Sequence, residues 1–202
     1  MREHVLREPL PGQPRPLLAP PRPGHPQGPP LSDLVETLAA AAIGDTHNQY
    51  ADSPLRRARL SAYLDARRDA PLLLVGEAAG WRGARVSGLP FTSERQLTGS
   101  GPAEATATIV HRVLRELACE EDVLLWNVVP THPHRPGDER SNRPPARGEI
   151  EAAGPFLAEL ARGRDTVAVG RVAALELGGP AVRHPSHGGA AAFAAGLASV
   201  LA

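Results

Sequence analysis

The stretch Pro71-Leu72-Leu73-Leu74-Val75-Gly76-Glu77-Ala78-Ala79-Gly80 decides how the rest of the chain is read. Leu72–Val75 is too short for a helix to bury, and it runs straight into small residues. That is the pattern of a parallel strand covered on both faces. The same pattern returns at Val123–Val129 and at Thr166–Gly170, and it begins again at Ala181–Val182. Amphipathic segments separate these runs. Ser32 is placed to cap a helix carrying Leu34, Val35 and Leu38. Ser53 followed by Pro54 predicts a second helix through about Arg68, with Leu55, Leu60, Tyr63 and Leu64 inward. Pro102 is expected to start a helix carrying Ile109, Val110, Val113, Leu114 and Leu117. Residues 146–162 read as another, with Ile150, Phe156, Leu157 and Leu160 inward. A short helix follows over Val172–Leu177, and a last one carries Phe193, Leu197, Val200 and Leu201. Strands alternating with helices predict an α/β fold, a three-layer αβα sandwich around a central four-stranded, mostly parallel sheet. In such sheets a ligand lies beyond the carboxyl ends of the strands.

The chain has 202 residues, enough for one domain and an appendage. The 22 basic residues are all Arg and are matched by 22 acidic ones, so any nucleic-acid footprint has to be local. Residues 1–30 hold ten of the 22 prolines and read as an extended tail, leaving 31–202 as the folded domain. A single cysteine, Cys119, excludes a disulfide framework and a cluster held by four thiolates of this chain, and no cofactor is expected. No apolar run reaches about 18 residues, so no membrane span is expected. The opening MREHVLREPL lacks the apolar core of a secretory signal. A cytoplasmic location is therefore expected, and no obligate protein partner is inferred.

The unusual residues gather at strand ends. After the first strand come Gly76-Glu77-Ala78-Ala79-Gly80 and then Gly88-Leu89-Pro90-Phe91-Thr92-Ser93. The second strand carries Trp126-Asn127-Val128-Val129, and the fourth is followed by Arg183-His184-Pro185-Ser186-His187-Gly188-Gly189. The glycines alone suit tight packing, Phe91 alone suits a core, and His184 alone suits a satisfied surface imidazole. Asn127 is different, because a carboxamide inside an apolar strand is costly unless its donors and acceptors are used.

In this order the motifs resemble the uracil-DNA glycosylase superfamily. Gly76–Gly80 looks like the water-site motif that family four writes Gly-Glu-x-Pro-Gly. Gly88–Phe91 is similar to its Gly-x-Pro-Phe, Asn127–Val129 to its Asn-Val-Val, and His184-Pro185-Ser186 to its His-Pro-Ser loop. Asn142-Arg143-Pro144-Pro145 with Glu149-Ile150 matches an Asn-Arg-x-Pro segment. The resemblance runs from about residue 71 to the C-terminus. The family's four cluster cysteines are missing, Ala78 sits where other families place a water-activating Asp, and Ala79 replaces the usual Pro.

The resemblance implies excision of uracil from single- or double-stranded DNA by base flipping, with monomeric action. It assigns uracil binding to Gly76, Glu77, Ala78, Phe91, Asn127 and His184, and catalysis to His184, Glu77 and Asn127. Ser93, Ser186, His187, Gly188 and Arg143 would meet the DNA, the two serines as phosphate ligands or simple turn caps. Arg82, Arg85, Arg140 and Arg147 could extend a basic rim, and the residue that wedges into the vacated stack is open. Water activation has no assigned base. A protein that keeps the pocket and binds damaged DNA without cutting it is the alternative. A metal site from His132, His134, His184 and His187 lacks a carboxylate at useful spacing. A serine hydrolase using Ser186 lacks the Gly-x-Ser-x-Gly elbow.

Overall fold

The computed structural model describes residues 31–202, so the proline-rich stretch 1–30 lies outside it. The first elements are α1 (Ser32–Ala40), β1 (Thr46–His47) and α2 (Pro54–Ala66). Leu31, not Ser32, holds the cap position of α1. Ser53 caps α2 by accepting the Arg56 N–H at 3.3 Å, and Pro54 sits at the first helical position. β2 (Leu72–Ala78) is followed by two short helices that periodicity did not reveal, α3 (Ala84–Ser87) and α4 (Glu94–Thr98). Next come α5 (Ala105–Glu116), β3 (Val123–Val129), β4 (His132–Pro133) and α6 (Arg147–Ala161). The chain closes with β5 (Asp165–Val169), α7 (Arg171–Leu177), β6 (Ala181–Val182) and α8 (Ala190–Leu201).

The main sheet has the order β3-β2-β5-β6, and every neighbouring pair is parallel. Helices flank it, with α6 on β3, α7 against β5 and β2, and α8 on β6. The register sets Gly76 of β2 opposite Asn127 of β3, so the two distinctive strand-end residues are neighbours. β1 and β4 form a separate antiparallel pair, absent from the sequence reading because each is two residues long.

The core follows the apolar pattern closely. Leu72–Val75, Val123–Val129 and Val167–Val169 are buried, as are Leu60, Tyr63 and Leu64 of α2. One inward assignment fails, since Leu55 is 60 % exposed; of the apolar residues on α8, Phe193 and Leu197 are buried while Val200 and Leu201 are exposed near its end. Pro102 does not start α5 either. Its carbonyl accepts the Arg95 N–H of α4, which holds it in the connecting loop, and Glu104 takes the cap position. No described helix is long and apolar enough to cross a membrane.

Candidate active site

Gly76 is the pivot of the site. A methyl group there would lie 2.3 Å from Phe91 Cζ and 2.8 Å from Asn127 Oδ1. Only a glycine lets the ring and the carboxamide meet over the strand end. Phe91 itself is strained, with φ at +49°, a region that L-residues seldom occupy. The turn that imposes this is clamped from several sides. Ser87 Oγ donates to the Thr92 carbonyl at 2.6 Å, and Tyr50 Oη donates to the Gly88 carbonyl at 3.0 Å. Thr92 Oγ1 lies 3.2 Å from His111 Nε2, whose other nitrogen meets Glu120 at 2.9 Å.

Asn127 is 4 % exposed, and its carboxamide bonds to nothing else among the described residues. It opens into a cavity of about 280 Å³ shared with Phe91, His184 and the Glu77–Gly80 turn. That volume sits at the lower limit of small-molecule pockets, roughly 300–1,000 Å³, and suits a single nucleobase. A buried carboxamide without a partner is rare, and here it lines the cavity.

His184 follows β6 and packs against Gly170, whose φ of +86° admits the imidazole's Cβ at 3.2 Å from where a methyl would be. The Ser186 backbone N–H donates to His184 Nδ1 at 3.2 Å, and a backbone N–H can only donate. Nδ1 is thus an acceptor and the ring proton sits on Nε2. Ser186 Oγ, 2.7 Å from the same Nδ1, supplies its proton there too, and His187 Nδ1 then donates to Ser186 Oγ at 3.0 Å. Burial, helped by His187, pushes the His184 pKa below the usual histidine value. The result is a neutral imidazole whose Nε2–H is free.

Two carboxylates line the cavity. Glu77 is half-buried; burial raises its pKa while Arg171 opposes the rise. Glu104 reaches in from the start of α5, and burial alone raises its pKa.

The family model of the uracil DNA glycosylase superfamily matches residues 64–195. The chain belongs to the uracil DNA glycosylase superfamily. No curated protein matches it by sequence. Among solved structures it is similar to that of wild-type Pedobacter heparinus SMUG2, with a TM-score of 0.61 and 12 % identity. That alignment covers 85 % of this chain and 96 % of the other, and at such low identity it establishes the shared fold. Membership makes this a DNA glycosylase fold whose expected substrate is DNA.

Of the residues singled out by their resemblance to the uracil DNA glycosylase superfamily, Glu77, Ala78, Phe91, Asn127, His184, Ser186, His187 and Arg143 share the one cavity wall, and Gly76 lies directly beneath. Ser93 is elsewhere. It is 1 % exposed and its hydroxyl donates to Gln96 Oε1 at 2.8 Å, so it serves the cap of α4 rather than a phosphate. Arg143 reaches the wall already committed: its terminal nitrogens hold the two Glu149 oxygens at 2.8 and 2.6 Å, and Nε donates to the His134 carbonyl. It staples the 133–146 loop. Arg85 pairs with Glu139 and Arg147 with Glu151, which thins the expected basic rim to Arg82, stacked on Trp81 at 4.6 Å, and Arg140. Gly188 and His187 are exposed, His187 with φ at +51°. His132 faces the Ala79 and Glu139 carbonyls, and among the described residues no cluster of three His, Cys, Asp or Glu could hold a metal.

Sequence reasoning missed Arg171 and Arg183, which line a second hollow of about 430 Å³ on the other side of the His184 loop. It also missed Glu104. Arg183 adjoins the His-Pro-Ser loop and was findable there; Arg171 and Glu104 come from helix starts that carry no motif.

Proposed function

We propose that this chain hydrolyses the N-glycosidic bond of uracil in DNA and leaves an abasic site. One observation carries the reading: an unpartnered carboxamide, a strained aromatic ring and an imidazole with a free Nε2–H share a cavity the size of one nucleobase.

A base inside a duplex cannot reach such a cavity, so the nucleotide must be extruded at a cost of a few kcal/mol or taken from a single strand. Stacking on Phe91 returns roughly 1–3 kcal/mol of this. Asn127 can donate its amide N–H to uracil O4 and accept the N3–H at its carbonyl. Cytosine reverses both groups, and a site built for such hydrogen bonds rejects the wrong partner by about 10⁴-fold. As the bond to C1′ breaks, negative charge develops on uracil N1 and O2. The His184 Nε2–H, held by Ser186 at the far nitrogen, is a preorganised donor for that charge, worth roughly 3–4 kcal/mol. Arg171 and Arg183 beside the His184 loop supply positive charge for the DNA backbone.

The test is a uracil-containing oligonucleotide, single- and double-stranded, incubated with the chain and then treated with alkali. Strand scission at the uracil is expected. A retarded but uncut band would instead support a damage-binding protein, a reading favoured by the methyl of Ala78 at the cavity wall where a base would serve.

A further inference from the structure

Hydrolysis needs a water as well as a leaving group, and the Glu77–Gly80 turn brings one carboxylate to the cavity, Glu77, whose charge Arg171 stabilises against burial, while Ala78 brings none. We propose that the Glu104 carboxylate is the general base that takes the proton of the attacking water, an inference that rests on the glycosylase reading above.

Glu104 occupies the cap position of α5, where a Ser, Thr, Asn or Asp side chain would normally accept a helix N–H. It makes no such bond. Its side chain leaves the helix and lies against the turn after β2. A methyl on Gly80 would stand 2.5 Å from Oε1, and one on Gly83 2.1 Å from Oε2. Both glycines are thus needed for the carboxylate to sit there. The carboxylate has no hydrogen-bond or ion-pair partner among the described residues, yet it lines the cavity that holds Asn127 and His184. A partly buried carboxylate left unpaired costs stability and is a standing invitation to a water. The other ionisable groups on that wall are Glu77, His184, His187 and Arg143, and Arg143 is already held by Glu149. With burial as the only influence on it, the Glu104 carboxyl titrates closer to neutrality than an ordinary glutamate, which makes its carboxylate a better base.

The C1′–N1 bond breaks with its electron pair going to the uracil ring, where the His184 Nε2–H meets O2. Water oxygen bonds to C1′, and one water proton passes to a Glu104 oxygen. The abasic sugar carries the new hydroxyl, uracil leaves as its anion, and Glu104 returns its proton to solvent or to that anion.

Single-turnover excision by the full chain tests this with Glu104→Gln, Glu104→Asp and Gly80→Ala. Glu104→Gln should slow excision by about 10²-fold, the lower end for general base catalysis, with affinity for uracil-containing DNA unchanged. Glu104→Asp should recover at least about tenfold over Glu104→Gln, since it restores the base but not the reach. Gly80→Ala pushes on the carboxylate without removing it, so it should slow wild type yet add little to Glu104→Gln. Excision by Glu104→Gln within about threefold of wild type, or a loss that appears wholly as weaker DNA binding, overturns the proposal. If Glu104→Gln does not fold, equal rates for Gly80→Ala and wild type overturn it. A wild-type chain that leaves uracil in place overturns the glycosylase reading and this one together.

Discussion

Asn127 shows how one residue can be legible for a physical reason. A carboxamide in the middle of Trp126-Asn127-Val128-Val129 conflicts with its apolar neighbours, and its place in the wall of a cavity gives it a use. Asn127→Ala should lower kcat/KM for uracil excision about 10- to 10²-fold, since uracil's O4 and N3–H would then be desolvated without partners at roughly 1–3 kcal/mol. His184 makes a sharper case. The sequence could not say which ring nitrogen carries the proton, whereas the Ser186 N–H fixes it on Nε2. His184→Ala should cost about 10²–10³-fold in kcat, more than Glu77→Gln, and a single-turnover comparison in which Glu77→Gln loses more would reverse that ranking. Ser93 and Arg143 each have their partner close by in sequence, Gln96 three residues on as a capping box and Glu149 following the Asn-Arg-x-Pro segment, but only the fold shows that these partners, and not DNA, use them. Glu104 was not legible at all. Its carboxylate arrives from a helix start and is placed by two glycines some twenty residues earlier in the chain.

At the scale of elements, strands buried on both faces announced themselves as unbroken apolar runs, and β3 falls on the predicted residues. α2 was equally plain because Ser53 and Pro54 act locally, so Ser53→Ala should cost about 1 kcal/mol in denaturant unfolding. What escaped were elements of two to five residues, such as α3, α4 and the β1–β4 pair, which are too short to show a period and depend on tertiary contacts. β3 also lies at the edge of the sheet, a fact no sequence pattern gives. Its Leu125 N–H would be an unpaired edge donor were it not for Tyr63 Oη, which accepts it at 2.7 Å from the buried face of α2. Burial holds the Tyr63 phenol up at about 12, so it is a neutral hydroxyl at any working pH. Tyr63→Phe should therefore destabilise the domain by roughly 1–3 kcal/mol, measured by urea unfolding, because a buried backbone donor is left unmet. A smaller effect would mean that β3 shifts to find another acceptor.

Over the whole molecule, equal numbers of acidic and basic residues conceal two kinds of glutamate. Glu149 is nearly buried but held by Arg143 and by the Ala146 N–H, and the Arg143 bonds pull its pKa below the ordinary value. A carboxylate with a lowered folded pKa stabilises the fold at every pH above its unfolded value, and that contribution disappears as acid protonates it. Glu104 has the opposite sign. Its folded pKa lies above the unfolded one, so the native state binds the extra proton and stability falls as pH rises through that window. At neutral pH the ionised Glu104 thus strains the fold, whereas Glu149 supports it. Glu149→Gln should lower the melting temperature at pH 7, with the deficit shrinking as the pH drops below the carboxylate range. Glu104→Gln should raise it at pH 7, with the gain shrinking over the same descent, even as excision slows. Thermal melts of the two variants against wild type between pH 4 and 7 decide this, and a Glu104→Gln protein that melts lower than wild type at pH 7 would show that the carboxylate is a structural anchor. Stability gained where activity is lost is the signature of a group kept for its chemistry, because packing alone would have removed the charge.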